Sequence, residues 1–284
     1  MYRVILLCSV AGLLMAAGLA TVQAAPVKSH GVVGNDVSWP QCGHALPASH
    51  PFAVVGVTDG RASTTNPCVR QELRWAKRSP GTPTQPPASL YVNTENPGFL
   101  HVRTWPKSNL DPLTKRPVPD PYGTCRGKNT KACAWQYGWN MAHLDGRARG
   151  VKRPRKYSWW LDVETMNSWA SRKPRNAADL EGMVAYFQQL GVKVGLYSTA
   201  YQWHVIAGTI SPASSLYDLP EWVPGASTYA QATANCALTP FTGGGSVVMT
   251  QWWTSSSTID WDVDCGTVKS HRSHSVLSDR SSLL

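Results

Sequence analysis

Two carboxylates stand two positions apart in a short apolar stretch of the chain. Residues 157–165 read Tyr-Ser-Trp-Trp-Leu-Asp-Val-Glu-Thr, which is typical of a buried strand that ends in Asp162 and Glu164. Residues i and i+2 of a strand project to the same face, so both acids share a face with Trp160, and Leu161 and Val163 point to the other. The Cα atoms of the two acids are then roughly 6.6 Å apart, at a rise of about 3.3 Å per residue. Such a pair beside aromatic surface can act as acid and base on a sugar ring.

The same pair also has a purely structural interpretation, because short motifs often occur without a catalytic role. A strand that ends in Asp-x-Glu can simply be held by salt bridges. The choice between a catalytic and a structural role therefore depends on the surrounding elements and on the other acids that they position.

Short apolar runs without polar alternation predict strands that are covered on both faces, as in parallel α/β sheets. Eight strands are predicted, at 31–39, 52–60, 88–95, 157–165, 192–199, 221–224, 246–253 and 258–265. Helical patterns at 66–78, 134–148, 176–190 and 201–207 alternate with the earlier strands, and Asn176 and Gly191 are the predicted ends of the third helix.

This order predicts an α/β fold, a single irregular (β/α) barrel of TIM type with reduced helices between the last three strands. The alternative is an open doubly wound sheet, which is less favoured because a Gly-rich first turn is missing.

The active site of a β/α barrel lies at the C-terminal ends of its strands. Acids recur at five of the eight predicted strand ends, although the whole chain has only 17 Asp and Glu residues. This concentration suits a glycosidase cleft, although some of the acids, Asp59 above all, could instead cap the following helices. The candidate site residues are Asp36, Asp59, Asn93, Glu95, Asp162, Glu164, Tyr197, Trp222, Gln251, Trp253, Asp262 and Asp264.

The composition of the chain indicates which kinds of molecule it could bind. The 284-residue chain has a formal net charge of +10, but its Lys and Arg residues are scattered and form no basic stripe with interleaved aromatics, so nucleic-acid binding is not expected. It has 13 Trp against 4 Phe, and the flat indole face suits stacking on sugar rings as well as core packing. A basic protein of this kind favours anionic surfaces such as cell walls.

The N-terminal 24 residues are predicted to be a secretion signal, with Arg3 before an apolar stretch and Val22 to Ala24 as a small-residue cleavage site. We therefore expect an extracellular protein, at or near a cell wall, without a membrane anchor. Residues 25–267 are the predicted barrel, with a long loop insertion at 99–133, and the Ser-, Arg- and His-rich residues 268–284 are predicted to be disordered. A monomer is expected.

Six cysteines remain after the predicted cleavage, and an even number in an exported chain indicates three disulfides. The sequence does not decide the pairing. Consecutive pairing is favoured because each pair flanks neighbouring elements: Cys42 with Cys68, Cys125 with Cys133, and Cys236 with Cys265. No metal or cofactor is expected, since the chain has no C-x-x-C motif and no Cys/His cluster at zinc spacing.

An ordered set of short motifs resembles the family 25 glycoside hydrolases, the Chalaropsis-type lysozymes, over roughly residues 31–266. The set comprises 35–39 (family G-x-D-V-S), 57–60 (A-T-E-G), 160–164 (L-D-x-E), 195–198 (G-I-Y-S), 221–223 (L-W-I), 251–254 (W-Q-Y/W) and 262–264 (V-D). The chain departs from the family at Asp59, where Glu is usual, and after Val223, where A-x-Y is usual.

The resemblance implies a secreted muramidase that hydrolyses the β-1,4 bond between N-acetylmuramic acid and N-acetylglucosamine in peptidoglycan. Glu164 would be the general acid, with a pKa raised by nearby Asp162 and by burial against Trp. Asp162 would orient the 2-acetamido group or stabilise positive charge at the anomeric carbon, and Asp36 and Asp264 would hold sugar hydroxyls or tune the pair. The alternatives are a non-catalytic glycan-binding protein on the same barrel and a basic secreted interaction protein.

Overall fold

The computed structural model describes residues 31–98, 103–255 and 257–266. The predicted signal (1–24), the predicted tail (268–284) and residues 99–102 of the insertion lie outside the described residues. Eight strands form a closed barrel in sequence order, which confirms the predicted fold. They are β1 Val33–Val37, β2 Ala53–Gly56, β3 Ala88–Asn93, β4 Trp159–Asp162, β5 Val194–Tyr197, β6 Pro220–Ala226, β7 Ser246–Trp252 and β8 Asp260–Asp264.

In the described ranges, five α-helices cover the outside of the barrel: α1 Val69–Ala76, α2 Lys131–Arg147, α3 Lys173–Leu190, α4 Ala200–Ile206 and α5 Tyr229–Asn235. The helix between β6 and β7 has 7 residues, and β8 follows β7 after a short connection. The predicted reduction of the helices near the end of the chain is therefore confirmed. None of the helices in the described ranges combines the length and apolar character that crossing a bilayer requires.

The last strand runs against the others. Strands β1 to β7 are parallel, whereas β8 is antiparallel to both β7 and β1. A parallel crossover needs a dozen or more residues, and the connection from Trp252 to Asp260 is too short to provide one. The start of β8, and not its end, therefore lies at the barrel end where the parallel strands finish, contrary to the prediction that the end of the last strand, with Asp262 and Asp264, lies there.

Two apolar layers result from the alternation within the strands. Leu161 and Val163 of the β4 segment point outward into the layer under the helices, as predicted, and Trp159 there stacks on Phe187 with ring centroids 4.7 Å apart. Trp160 points inward and meets Trp222 at 5.8 Å, within a small apolar cluster that fills the barrel.

The interior ring of Trp160 needs a glycine beside it. A Cβ at Gly195 would lie 2.4 Å from that ring, so this position of β5 must be bare for the tryptophan to fit. The two interior tryptophans form an apolar layer, the tryptophan floor, beneath the polar residues at the strand ends.

Helix α3 ends as predicted, at Gly191 with φ of 78°, but the predicted start at Asn176 is wrong. The helix begins at Lys173, next to a proline in its first turn, which favours an earlier start. Asn176 is buried within α3, and its amide group donates to the backbone oxygens of Ala170 and Ile206. It ties the start of the helix to the end of α4 instead of capping it.

The disulfides are Cys42–Cys68, Cys125–Cys133 and Cys236–Cys265, so the consecutive pairing is confirmed. The second lies in the 99–133 insertion, whose described part packs on the helices. Trp105 is buried and stacks on Tyr137 of α2 at 5.3 Å, and Val118 joins the same core. The described insertion is therefore an ordered cover on the outer helices.

Helices α2 and α3 approach each other closely at two glycines. A Cβ at Gly138 would lie 1.9 Å from the backbone oxygen of Asp179, and one at Gly182 would lie 2.0 Å from that of Trp135. A backbone atom cannot move aside as a side chain can, so the helix pair must separate to accept a methyl group.

We expect Gly138→Ala to lower the free energy of unfolding by about 3 kcal/mol, because overpacking at a helix contact outweighs the better helix propensity of Ala. Denaturant unfolding followed by tryptophan fluorescence measures this. Gly146→Ala on the same helix is the control, since the nearest atoms to its Cβ belong to a side chain and not to the backbone: the Tyr186 hydroxyl at 2.8 Å and a ring carbon at 3.1 Å. An equal loss in both variants would contradict the close-contact explanation.

Candidate active site

Strand register brings the predicted polar residues together at one end of the barrel, which we call the acidic end. Asn93 of β3 is paired with Asp162 of β4, and Asp162 with Tyr197 of β5. Across the antiparallel seam, Asp36 of β1 is paired with Asp260 of β8. These residues ring the barrel interior above the tryptophan floor, with Glu164 just beyond the end of β4.

Asp162 is held in a fixed position within this ring. It is buried, and the Asn93 amide donates to its Oδ2. Asn93 is itself held, because its Oδ1 accepts from the Thr58 hydroxyl at 2.7 Å and from the Gly60 backbone at 3.1 Å. These hydrogen bonds hold the Asp162 carboxylate in one orientation, toward the barrel mouth. A carboxylate that acts on a substrate needs such a fixed orientation.

Glu164 is the more accessible member of the pair, being only partly buried. Its backbone oxygen accepts from the Trp169 indole at 2.7 Å, which fixes the loop after β4. Gln202 of α4 is the neighbouring amide: its Oε1 accepts from the Thr165 backbone at 2.7 Å. The side chain of Gln202 also interacts with the Glu164 carboxyl.

The two carboxyls titrate as a pair. Burial, and then the charge of Glu164, raise the pKa of Asp162 well above its usual value. Burial raises the pKa of Glu164, while hydrogen bonds from Gln202 and from Asp162 lower it. Burial is the first cause for both groups, and because the two carboxyls share one titration, the ionised form of either one opposes ionisation of the other.

A second acidic group faces the pair from across the barrel mouth. Asp36 accepts a 2.8 Å hydrogen bond from the Gln251 amide, and Gln251 in turn accepts from the Tyr197 hydroxyl at 2.9 Å. Burial, and then the charge of Asp260, raise the pKa of Asp36 well above its usual value. The Tyr197 ring packs edge-on against Trp222, with ring centroids 4.5 Å apart, so the hydrogen-bonded residues pack directly on the tryptophan floor.

Two predicted substrate-binding residues lie inside the barrel and not at its mouth. Trp222 is 2% exposed and packs against Trp160, Tyr91 and Tyr197, so it cannot offer a face to a sugar. Asp262, in the middle of β8, is fully buried near Asp36. Both face inward because of strand alternation, but too deep to reach a ligand at the rim.

Asp264 is not part of this site. It lies at the opposite end of the barrel, where it accepts from the hydroxyls of Thr82 and Thr84 in the connection that leads into β3. The prediction that it tunes the catalytic pair is wrong, because β8 is antiparallel and its last residue is farthest from the acidic end. Asp260, its first residue, takes that place.

Glu95 also turns away from the pair. β3 ends at Asn93, and Glu95 accepts from the Tyr137 hydroxyl of α2 at 2.8 Å, on the helical layer. Asp59 follows β2 and is half-buried. It is next to Gly60, whose backbone donates to Asn93. Asp59 does not cap helix α1, because the residue before that helix is Cys68.

Two exposed tryptophans lie at the ends of strands or beside them. Trp253 is 54% exposed directly after β7, and Trp39, which was not a candidate, is 47% exposed beside Gly60.

Sequence reasoning missed three residues of the acidic end. Tyr91 lies on β3 two positions before Asn93, and burial, followed by the charges of Asp36 and Asp162, raises its pKa. Strand alternation from Asn93 could have found it. Asp260 required the direction of β8, and Gln202, on a short helix far along the chain, carries no signal in the sequence.

Neither the acidic end nor the rest of the described chain offers an evident metal centre. Among the described residues, the one group of His, Cys, Asp and Glu side chains at metal-binding distances is Cys42, Cys68 and Glu72. Its cysteines form a disulfide and so provide no thiolate. A separate pocket of about 380 Å³ lies at the opposite end of the barrel, lined in part by Gln85, Ser89 and Lys193.

Asp262 provides a test of the electrostatics. Burial, then the charges of Asp36 and Asp260, raise its pKa well above its usual value, so its contribution to stability is complete below the unfolded-state pKa and is lost as pH rises through the folded-state pKa. We expect Asp262→Asn to raise the free energy of unfolding by about 2 kcal/mol at pH near 8, since no charge must be kept out of the barrel.

At pH near 3, below the usual pKa of an aspartate, the wild-type carboxyl is largely protonated in both states, so we expect little difference. Thermal unfolding at the two pH values makes the comparison, and Asp218→Asn, at an exposed aspartate, is the control. A gain of the same size at both pH values would show that the charge of Asp262 is not the cause.

Comparison with known proteins gives relatives of one kind. A family model described as lysozyme-like protein 1 matches residues 153–241, which include β4 and the Asp162–Glu164 pair. The probable GH family 25 lysozyme 4 of Dictyostelium discoideum is 33% identical over 63 residues, 22% of this chain and 28% of that protein. The chain is similar to the family 25 lysozymes. Lysozyme-like protein 5 of Caenorhabditis elegans is 32% identical over 121 residues, 42% of this chain and 52% of that protein.

Solved structures show the same fold. The muramidase from Trichobolus zukalii superposes with a TM-score of 0.51 at 14% identity, covering 84% of this chain and 95% of that one. The bacterial lysozyme from Streptomyces coelicolor gives 0.50 at 15% identity, covering 84% and 93%. The resemblance predicted from the ordered motifs is thus confirmed, whereas the matches in sequence span 28% and 52% of the curated relatives.

Proposed function

We propose that this protein is a glycoside hydrolase that cleaves the β-1,4 bond between N-acetylmuramic acid and N-acetylglucosamine in bacterial peptidoglycan. The observation that carries the proposal is the carboxyl pair of Asp162 and Glu164, in which burial raises both pKa values, at the open end of a barrel with a lysozyme fold. Two carboxyl groups that hold a proton above their usual pKa can supply it to a glycosidic oxygen near neutral pH.

In the proposed reaction the pair holds one proton, which lies on Glu164 in the reacting state and leaves Asp162 ionised. Glu164 donates this proton to the glycosidic oxygen as the bond from that oxygen to the anomeric carbon breaks. Asp162, fixed by Asn93, orients the 2-acetamido group or stabilises the positive charge that develops at the anomeric carbon. Water then adds to the anomeric carbon and gives up a proton, which restores the pair. Gln202, beside Glu164, keeps the acid in position throughout.

Asp36 and Asp260 face this pair, and we propose that they bind sugar hydroxyls. Exposed Trp39 and Trp253 offer flat faces at the rim, and Asp59 precedes Gly60, which lies beside Trp39. We place Trp222 and Asp262 beneath these contacts as support. Asp264 and Glu95 have no part in this mechanism.

We further propose that residues 25–267 act as one secreted domain. The three disulfides support an oxidising compartment, because such bonds persist mainly outside the cytosol. The net charge of +10 favours association with the anionic surface of a cell wall.

The test is to digest purified peptidoglycan with the protein, reduce the products with borohydride and identify the reduced sugar. Reduced N-acetylmuramic acid is the expected product, and reduced N-acetylglucosamine would contradict the assigned bond. If the protein sediments with peptidoglycan but no new reducing ends form, the chain is a glycan-binding protein on the same barrel, and the proposed hydrolysis is wrong.

A further inference from the structure

A cavity outside the barrel is lined by arginines from three separate segments. Its volume is about 330 Å³, and it lies between the insertion and the helices α2 and α3. Arg116 comes from the insertion, Arg147 from the last turn of α2 and Arg155 from the turn before β4. A positive charge at a helix C-terminus complements the helix dipole, which accounts for Arg147 but not for the other two.

These arginines are not neutralised by the protein. Among the described residues, Arg149 forms an ion pair with Asp145, and His143 contacts Asp111 in a pair that is ionic only when the histidine is protonated. Neither contact includes Arg116, Arg147 or Arg155. All three are exposed, and Arg147 also forms a hydrogen bond with the Tyr186 side chain at the cavity wall.

Asp111 is the one acid among the described residues that line the cavity. Its Oδ1 accepts from the Leu113 backbone at 2.8 Å and its Oδ2 from the Thr114 hydroxyl at 2.6 Å. Its carboxylate is thus occupied within its own turn.

The floor of the cavity is buried and consists of packed aromatic rings. His143 lies 3.0 Å from Asp111, stacks on Tyr186 at 4.9 Å and meets the edge of Trp139 at 5.0 Å. Burial lowers the pKa of His143, so it is uncharged near neutral pH. Three positive charges and one negative charge then line the cavity, which leaves an excess of two positive charges.

We propose that this cavity binds a phosphate dianion, either as inorganic phosphate or as a phosphomonoester. The excess charge matches that of the ligand, and each guanidinium presents paired N–H donors that suit phosphate oxygens. Three guanidinium groups that approach from different segments suit a tetrahedral group with several oxygens better than a planar carboxylate. The site is separate from the acidic end and does not depend on the proposed hydrolysis.

Isothermal titration calorimetry at low ionic strength and pH near 7.5 tests the proposal, with inorganic phosphate and glycerol 3-phosphate as the two probes. We expect saturable binding of at least one probe with one site per chain, and the tighter probe identifies the source of the phosphate. The double variant Arg116→Gln/Arg155→Gln is expected to weaken this binding by about tenfold or more, because each substitution removes a charge-assisted hydrogen bond.

Arg70→Gln/Arg74→Gln is the matched control, since it removes the same charge from an exposed face of α1. An equal loss of affinity in the control would overturn the site, because the attraction would then reflect net charge alone. The absence of saturable binding for both probes would also overturn it. Thermal unfolding of each variant shows that the fold is intact, and phosphate should raise the unfolding temperature of the wild type more than that of the cavity variant.

Discussion

Replacing Glu164 with Gln is expected to reduce the rate of peptidoglycan hydrolysis by about 10³-fold, the typical contribution of a positioned general acid. Gln has nearly the same shape and can still meet Gln202, but it has no proton that it can transfer to the glycosidic oxygen. Because Glu164 lies beyond the end of β4 and is partly exposed, the substitution should leave the barrel intact. The measurement is the initial rate of formation of new reducing ends.

Two further measurements show whether the loss of rate comes from proton donation by Glu164. Binding of the variant to insoluble peptidoglycan should be close to that of the wild type, since only proton donation is lost. Glu181→Gln is the matched control on α3, where the carboxylate accepts from Tyr122 and Ser214 far from the pair, and its activity should be near normal. If Glu164→Gln and wild type release reducing ends at the same rate, Glu164 is not the general acid.

Replacing Asp162 with Asn is expected to reduce the rate by about 10²-fold, since preorganised charge at a reacting centre is commonly of this importance. The Asn93 amide can still donate to the new side-chain oxygen, so the geometry is kept while the charge and the exchangeable proton are lost. In the wild type the two carboxyls titrate together, so the fall in kcat toward alkaline pH should broaden over two ionisations.

In the Asp162→Asn variant that alkaline fall should follow the titration of Glu164 alone. A pH–rate profile of wild type and variant distinguishes the two shapes. The exposed Asp218→Asn substitution should leave both rate and profile unchanged. An unaltered rate and an unaltered profile in Asp162→Asn would mean that the two carboxyls do not work as a pair.

Much of the barrel could be predicted because its causes are local. Apolar runs of strand length, helical stripes between them and the alternation of Trp160, Leu161, Asp162 and Val163 all reflect which side chains must be buried. The disulfide pairing followed from the proximity of successive elements. Asp162 was found from the period of two within β4, and Glu164 was found because the same alternation continues two residues beyond the end of that strand.

The site predictions that were wrong concern residues whose positions depend on long-range geometry. The direction of β8 is decided by its neighbours and by the length of its connection, and the exchange of Asp264 for Asp260 followed from it. Alternation also holds only inside a strand, so it did not extend from Asn93 to Glu95 once β3 had ended. Trp222 was assigned to the rim because its strand position was known but its depth was not.

The reversed β8 also decides how this domain can be attached to something else. β1 starts and β8 finishes side by side, since Val33 pairs with Val263 and the backbone of Asp264 donates to Val32 at 2.8 Å. Polypeptide therefore enters and leaves the barrel at the end away from the carboxyl pair. A fusion partner, an affinity tag or a solid support joined through either flank would leave the cleft facing outward. A short linker between the flanks would suit circular permutation, with new termini opened on the outer helices.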